Sequence, residues 1–558
     1  MLNFIIGRNN SGKTEKIRAL IAERASENKK CILIVPEQFS FESERSILEK
    51  IGAQKMLNVD ILSFTRLAFV INEQYGKALN KTIDDGTRKV LMSLSLEALS
   101  GKLEYFKRFS SKPALLSNLL TFVTELKQCA VTPDEIAEIS GKTGNKSLGK
   151  KLSELSLIAA SYDALVSRSF FDDENLLTIA ADMISETDFF DGKAVYFDAF
   201  CGFTKQERNC IKSILPKAEN VFISLCTDRD LSREGVSVFE NVNSEFSHLK
   251  KCAAEQNVGV SSPEILNVKE DGRSPELVYL EKYLCGEESE PYKEECDNIV
   301  VCAAGNRADE ADFVACEIKK LLRCNPTLRC RNIAVIERTA GTYDKELSES
   351  FKKYGVPMFE DKRRPIGIQP VMVFVRCLLA LCAEGFSTES FMRLLKTGLT
   401  ALSGDEISEL ENYAFLWNID GSKWRRDFTE NPDGLGFDVT EKSQEKLIRL
   451  NDIRKRSVLP VLAFKKDFEE ADGEKKSRLI YEFLIKNGVT ERLREKIEYL
   501  VSSGDTVLCE EQDTVWATLM DMLGKMASAI GETVITAKRY CELFNILLSA
   551  VTLGSLPQ

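Results

Sequence analysis

The residues best suited to chemistry lie near the start of the chain, in the segment Gly7-Arg8-Asn9-Asn10-Ser11-Gly12-Lys13-Thr14. This segment has the complete P-loop pattern G-x-x-x-x-G-K-[ST], placed between a predicted strand and a predicted helix. Its two glycines let the backbone wrap around phosphate oxygens, which the start of the following helix also attracts. Lys13 would reach the β- and γ-phosphates, and the Thr14 hydroxyl would ligate Mg²⁺. A glycine turn before an ordinary helix is the alternative, but this pattern in this position predicts ATP binding.

A P-loop site also needs an acid at the end of a neighbouring strand, and Asp198 follows an apolar run at residues 195–197. Asp198 is therefore the candidate catalytic acid and, with Thr14, the candidate Mg²⁺ ligand; an ordinary strand-ending aspartate is the alternative. Translocating helicases carry a glutamate at the next position to polarise the attacking water, but here that position is Ala199. ATP could then bind while hydrolysis is slow. Glu207 could replace the missing glutamate if a turn brings it back.

Weaker candidates follow two other predicted strands, near the carboxyl edge of the sheet where open α/β proteins place ligands. Ser63, Thr65 and Arg66 could contact DNA phosphate, and Gln38 could contact single-stranded DNA or the nucleotide. Helix capping by Ser63 or Thr65, with a solvated Arg66, is an equally open interpretation. Gln38 could also be a capping residue.

The second half of the chain adds three basic candidates. Arg338 follows the apolar run 333–336, where motor proteins bring an arginine to the γ-phosphate from a second domain. A surface arginine is the alternative. Lys423-Trp424-Arg425-Arg426 could stack on and neutralise single-stranded nucleic acid, with Trp424 and Arg425 as its DNA contacts. Its alternative is a solvated loop with a locally packed Trp424, and Lys362-Arg363-Arg364 has the same two interpretations.

Short apolar runs at residues 2–6, 31–35 and 59–62 predict the strands that position these residues. They alternate with helical patterns, such as 15–25, so the fold class is α/β with a parallel sheet. The predicted domains follow from where strand and helix patterns alternate. They are a first domain at 1–75 and 190–290, a helical insertion at 76–189, a second, incomplete α/β domain at 298–380, and a second helical insertion at 381–558 that looks truncated at its end.

The composition excludes several classes of protein. The 16 cysteines are scattered and form no CxxC pair, which argues against a disulfide framework or a zinc site. The one histidine, His248, effectively excludes histidine-based acid–base chemistry. A net charge of −11 argues against a protein that coats nucleic acid, although a local basic channel remains compatible with it. No apolar run approaches the length of a membrane span, so the sequence predicts a cytoplasmic protein.

Several motifs resemble the AddB family, the B subunits of bacterial AddAB-type (RexAB) ATP-dependent helicase/deoxyribonucleases. The matching segments are the P-loop, Val35-Pro36-Glu37-Gln38-Phe39-Ser40, Leu62-Ser63-Phe64-Thr65-Arg66-Leu67-Ala68, and residues 196–207, 306–311, 333–338 and 354–361. The resemblance covers the whole chain and is most specific in the first 75 residues and in 195–207.

The resemblance implies a superfamily-one helicase-like fold with two RecA-like P-loop domains, each carrying a large helical insertion. It implies ATP and Mg²⁺ as ligands, an AddA-type partner in a heterodimer, and processing of DNA ends for homologous recombination and repair. The motor of this subunit would be degenerate, and the subunit would take part in recognising the Chi sequence in single-stranded DNA. It also implies that the family's nuclease domain and iron–sulfur cluster would lie in a C-terminal half that this sequence is not expected to include. The alternative is a P-loop protein of another class, kinase-like or an ATP-gated interaction module, without DNA activity.

Overall fold

A six-stranded parallel sheet organises the first part of the chain, with strand order β3-β2-β4-β5-β1-β6. Its strands are β1 (Leu2–Gly7), β2 (Cys31–Ile34), β3 (Val59–Leu62), β4 (Ala194–Phe197), β5 (Asn220–Cys226) and β6 (Glu264–Ile265). The computed structural model describes residues 1–76, 83–107, 112–169, 173–228, 238–267, 273–284, 290–359, 364–504 and 506–553. The apolar runs that predicted the first strands do form strands, and the α/β fold class is confirmed.

Helices cover both faces of this sheet, which is why its central strands are apolar throughout. Side chains alternate between the faces, so Ile5 packs on one side and Phe4 and Ile6 on the other. The first face is covered by α1 (Lys13–Ser26), α2 (Ser40–Ile51) and α3 (Ala53–Met56). The second face is covered by α4 (Phe64–Tyr75), α9 (Asp173–Glu186), α10 (Lys205–Ile214) and α11 (Glu240–Glu255).

The two predicted helical insertions share one hydrophobic core. The first contributes α5 (Asp85–Ala98), α6 (Pro113–Gln128) and α8 (Lys146–Ser169), with α7 (Pro133–Lys142) packed on α8. The second contributes α15 (Pro370–Ala383), α16 (Thr388–Leu395), α17 (Gly404–Leu416), α18 (Glu441–Glu470), α19 (Gly473–Lys486), α20 (Val489–Ser502), α21 (Thr506–Ile530) and α22 (Ala537–Ala550). A short antiparallel pair, β7 (Arg364–Pro365) with β8 (Thr552–Leu553), joins the two ends of this second group. Among the described residues, no helix combines the length and apolar character needed to cross a membrane.

The chain that connects the sheet to the second helical group contains α12 (Pro275–Tyr283), α13 (Arg307–Cys324) and α14 (Asp344–Tyr354). The last two pack together around a small apolar cluster. The runs 299–301 and 333–336, predicted as parts of a second α/β unit, form no strand, and Val301 and Ile336 are 91% and 90% exposed. A strand needs a neighbour for its backbone hydrogen bonds, and no described segment pairs with either run. The described residues therefore form one parallel sheet rather than the two that were predicted.

Candidate nucleotide-binding site

The loop between β1 and α1 has a backbone shape suited to an anion. Asn10 and Gly12 adopt the left-handed conformation, with φ of 60° and 86°. Gly12 begins α1 without a side-chain cap, so no side chain competes with an anion for the first N–H groups of the helix. A Cβ atom at Gly7 would lie 2.3 Å from Ser11 Oγ and 2.8 Å from the carbonyl oxygen of Leu266. Both glycines of the pattern are thus required by the fold of the loop itself.

Lys13 lies over this loop. Its Nζ donates to the carbonyl oxygens of Gly7 and Arg8 at 2.8 and 2.7 Å, and to Ser11 Oγ at 3.4 Å. These acceptors are neutral, so phosphate oxygens would replace them with stronger, charge-assisted bonds. Thr14, the next residue, is half-buried, and no hydrogen bond of its hydroxyl is described. The Lys13 amine and the Thr14 hydroxyl therefore lie next to each other at the loop, as binding of a triphosphate and its Mg²⁺ ion requires.

Asp198 follows β4, and its backbone N–H continues the sheet by donating to Ile34 O at 3.1 Å. Its side chain is 5% exposed, and Oδ1 accepts a hydrogen bond from Ser224 Oγ at 2.5 Å. Ser224 lies on β5, which runs between β4 and the P-loop strand β1. The carboxylate thus stands at the same edge of the sheet as the P-loop. Ser224 was missed by the sequence reasoning, although a lone serine in the apolar run 221–225 is a usable signal.

The turn after Asp198 is held in an unusual conformation. Ala199 has a φ of 65°, in the left-handed region that a side chain disfavours by about 1–2 kcal/mol. An aromatic cluster fixes the residues that follow: Phe200 and Phe203 lie 4.9 Å apart between ring centroids, and Phe64 lies 5.5 Å from Phe200. The packed rings stabilise the strained turn. In translocating helicases this position carries the carboxylate that polarises water. Here Ala199 has only a methyl group, and its left-handed backbone ends the strand direction of β4.

Glu207, proposed from sequence as a replacement for that carboxylate, belongs to a capping box at the start of α10. Its Oε2 accepts from the backbone N–H of Thr204 at 2.7 Å, while its own N–H donates to Thr204 Oγ1 at 3.2 Å. Such a reciprocal pair satisfies two otherwise unbonded N–H groups. The box fixes the carboxylate at the start of α10 through Oε2.

Ser63 is also a capping residue, since its Oγ accepts from the backbone N–H of Arg66 at 3.2 Å at the start of α4. Of the two interpretations left open by the sequence, the structure thus favours capping for Ser63. Thr65 and Arg66 are exposed, and so is Gln38 in the turn after β2, which it does not cap. In the described part of the chain no contact engages these three side chains.

Three phenylalanines that the sequence reasoning did not select lie in the segments that follow β2 and β3. Phe39 follows β2 next to Gln38, Phe41 is in the first turn of α2, and Phe69 is on α4. All three are exposed, and Phe41 is 78% exposed. Their signal in the sequence is the placement of two aromatic residues in the segment that directly follows a buried strand.

The stacking role predicted for Trp424 is wrong. Trp424 is fully buried, its Nε1 donates to Thr388 Oγ1 at 2.8 Å, and its ring packs against Phe391 at 4.9 Å between centroids. A side chain in the core cannot stack on a DNA base. Arg425 beside it is exposed.

Arg338 is exposed on the loop between α13 and α14, and in the described part of the chain no hydrogen bond or ion pair joins it to the P-loop. The neighbouring Glu337 instead holds that loop, because its carboxylate accepts from the backbone N–H groups of Gly341 and Tyr343 at 2.7 and 3.1 Å. Lys362 and Arg363 lie outside the described residues.

These features define an α/β protein with a candidate ligand site at the carboxyl edge of a parallel sheet, between the glycine-rich loop and Asp198. Residues 4–281 match the family model described as ADDB, N-terminal. The chain belongs to the AddB family, as its motifs predicted.

Whole-chain comparisons agree with this family. The chain is 29% identical to the B subunit of the ATP-dependent helicase/deoxyribonuclease of Acetivibrio thermocellus and to that of Thermoanaerobacter sp. (strain X514). It is 28% identical to the protein of the same name from Clostridioides difficile (strain 630). Each match covers 100% of this chain and 49% of the relative. The chain thus spans about half the length of the curated relatives that it matches.

Proposed function

We propose that this chain is the ATP-binding, helicase-like part of a B subunit in an AddAB-type helicase/deoxyribonuclease. In that complex it would pair with an AddA-type subunit and process double-stranded DNA ends for recombination and repair. The observation that carries the proposal is the loop 7–14, whose left-handed turns place Lys13 Nζ over its backbone at the sheet edge that also holds Asp198. The names of the relatives, which are B subunits of helicase/deoxyribonucleases, support the DNA-processing complex.

The side chains present fit a Mg²⁺–ATP ligand. Lys13 would bind the β- and γ-phosphates, and Thr14 and Asp198 would hold the metal ion or its water shell. Bound Mg²⁺ would neutralise charge that develops on the γ-phosphate. Ala199 supplies no carboxylate to orient water, and Glu207 is bonded to the start of α10. We therefore infer that this subunit binds ATP and hydrolyses it slowly or not at all.

Single-stranded DNA would lie along the carboxyl edge of β2 and β3. The exposed rings of Phe39, Phe41 and Phe69 offer stacking surfaces in the segments that follow these strands, and Arg66 and Gln38 offer a charge and an amide in the same segments. Stacking on aromatic rings next to basic groups is how proteins bind single strands without sequence preference. In the complex this subunit would also take part in recognising the Chi sequence in single-stranded DNA.

The unit of α13 and α14 would be part of a second RecA-like domain. The apolar runs 299–301 and 333–336 are unpaired among the described residues and could pair with further strands. A groove of about 750 Å³ lies beside the second run and is lined by Ile318, Val335 and Phe351. In a protein as long as the relatives, the half that this chain does not span would supply these strands.

The test is nucleotide binding and ATP turnover by this chain with and without single-stranded DNA. Lys13→Ala should lower ATP affinity by at least roughly tenfold, because a charge-assisted bond to phosphate contributes about 1.5–3 kcal/mol. Lys29→Ala is the matched control, since Lys29 forms only an exposed ion pair with Glu27. Turnover in the unsubstituted chain should stay near the Lys13→Ala background. Equal ATP affinity in all three proteins would refute the P-loop assignment.

One observation favours the second candidate, an ATP-gated or kinase-like protein without DNA activity: the described residues form a single parallel sheet. ATP binding without any affinity for a single-stranded oligonucleotide, at low salt and with a nonhydrolysable ATP analogue present, would support that candidate over the AddB-type role.

A further inference from the structure

Arg8, the second residue of the P-loop, contacts residues of three other segments of the chain. Its Nη2 donates to the carbonyl oxygen of Glu281 at 2.7 Å, and its Nε lies 3.1 Å from Glu281 Oε1. The same Nε is 3.4 Å from Asp228 Oδ1, just after β5, and the guanidinium lies 5.5 Å from the ring centroid of Phe239. Arg8 thus connects the P-loop to α12 through one hydrogen bond and an ion pair.

The other end of α12 is fixed to the chain that enters the second unit. The Glu276 carboxylate is buried and accepts from the side-chain amide of Asn298 at 2.8 Å and from the backbone N–H groups of Asp297 and Asn298 at 3.3 and 3.4 Å. The amide of Asn298 is the largest cause that lowers the pKa of Glu276 to about 2. Tyr292 also packs on Tyr279 of α12, with 5.0 Å between ring centroids. The two glutamates lie five residues apart, about 7.5 Å along the helix axis.

The P-loop end of this connection depends on Lys13. In the structure, Lys13 Nζ is bonded to the carbonyl oxygens of Gly7 and Arg8. A triphosphate would draw Nζ to its own oxygens, which removes this restraint from the backbone of Arg8. The phosphates would also add negative charge to the loop that carries Arg8, and this charge repels the carboxylates of Asp228 and Glu281 that pair with Arg8. Both effects oppose the contacts that hold α12.

We propose that α12 is a strap that couples the P-loop to the second unit, so that triphosphate binding loosens the contacts of Arg8 with Glu281 and releases α12 together with segment 290–298. The inference rests on the proposed ATP site and adds how occupancy of that site is transmitted. Coupling is reciprocal, so a firmly held strap weakens nucleotide binding by the same factor.

The test measures amide hydrogen exchange of α12 and segment 290–298, with and without saturating Mg²⁺–AMP-PNP, alongside the affinity of the same analogue. In the unsubstituted chain the analogue should speed exchange roughly fivefold, at the low end of ordinary coupling between sites. Glu281→Gln removes the ion pair but keeps the hydrogen bond from Arg8 to the carbonyl oxygen. It should therefore show part of the faster exchange before nucleotide is added and should bind the analogue more tightly, by up to roughly fivefold. Lys282→Ala, an exposed neighbour on α12, should behave as the unsubstituted chain does.

The outcomes separate the two proposals. If AMP-PNP binds while exchange in α12 is unchanged or slowed, the strap is refuted and the ATP site stands. If AMP-PNP does not bind to the unsubstituted chain or to Glu281→Gln, both proposals fail. If Lys282→Ala has the same effects as Glu281→Gln, any substitution on α12 loosens the helix. The proposal that the Arg8–Glu281 contact specifically holds α12 is then wrong.

Discussion

Ser224 holds one oxygen of the Asp198 carboxylate and so limits how Asp198 could face the proposed Mg²⁺ ion. The bond from Ser224 Oγ occupies Oδ1 and leaves the second carboxylate oxygen for another partner. The serine is itself buried on the middle strand β5, so the pair has little freedom to reorient. We regard Ser224 as a positioning residue for Asp198.

Ser224→Ala should therefore destabilise the fold and weaken Mg²⁺ binding separately. Loss of the partner leaves a buried oxygen of Asp198 unsatisfied, which costs about 1–3 kcal/mol of unfolding free energy. The Mg²⁺ concentration needed for ATP binding should rise, while affinity for ATP without Mg²⁺ stays the same. Urea unfolding and Mg²⁺ titrations with a fluorescent ATP analogue measure the two effects. Ser224→Thr keeps the hydroxyl and should restore the Mg²⁺ response; if it fails to do so, the hydroxyl is not what positions Asp198.

Glu207 can be tested with a substitution that separates its two possible roles. Glutamine also completes a capping box, so Glu207→Gln should change the unfolding free energy by less than about 0.5 kcal/mol. A catalytic base would be lost entirely by the same change. We expect ATP turnover to be unaffected, because the carboxylate is bonded to Thr204 in the structure. A large drop in turnover in Glu207→Gln, with stability retained, would show instead that Glu207 replaces the carboxylate missing at Ala199.

At the scale of elements, the carboxyl edge of β2 and β3 should bind single-stranded DNA through Phe41 and Arg66. Phe41→Ala should weaken binding by about 1–3 kcal/mol at all salt concentrations, since stacking is not electrostatic. Arg66→Gln should weaken binding mainly at low salt and reduce the slope of log affinity against log salt by about 0.7, because one phosphate contact is lost. Fluorescence anisotropy with an oligonucleotide across a salt series distinguishes the two. Phe415→Ala is the control, because that ring is 72% exposed on α17. An equal loss of affinity in Phe415→Ala would mean that DNA binding does not depend specifically on the carboxyl edge of β2 and β3.

The elements also show what a sequence can and cannot predict. The P-loop, its flanking strand and helix and the strand before Asp198 were predicted because each depends on contiguous residues and a local period. The runs 299–301 and 333–336 have the same apolar character as β2, yet they form no strand among the described residues. An apolar pattern specifies that a segment is suited to burial, but its partner comes from elsewhere in the fold. Trp424 shows the converse, since the polar residues around it gave no sign of the aromatic core in which it lies.

At the scale of the whole molecule, the two helical insertions form one body although the chain passes through the sheet and α12–α14 between them. Gly86 on α5 marks a close approach of the two insertions, because a Cβ atom there would lie 2.5 Å from Leu547 Cδ1 on α22. Ion pairs surround this contact, with Lys525 Nζ 2.7 Å from Asp84 Oδ2 and Arg539 Nε 2.9 Å from Glu97. Since buried apolar residues of both insertions form one core, we infer that the two insertions unfold together.

Gly86→Val should destabilise this body by about 1–3 kcal/mol, because the added methyl groups overpack the contact with Leu547. The loss should be smaller when Leu547→Ala is added than the sum of the two single changes, since residues in contact are not independent. Urea unfolding followed by circular dichroism measures all four proteins of the cycle.

Gly524→Val is the matched control, because Gly524 is also helical but has nothing within 4 Å of the position of its Cβ. Additive losses in the cycle, or two separate unfolding transitions, would mean that the insertions are independent bodies. A single transition that shifts with Gly86→Val would instead mean that residues more than four hundred positions apart stabilise one cooperative unit.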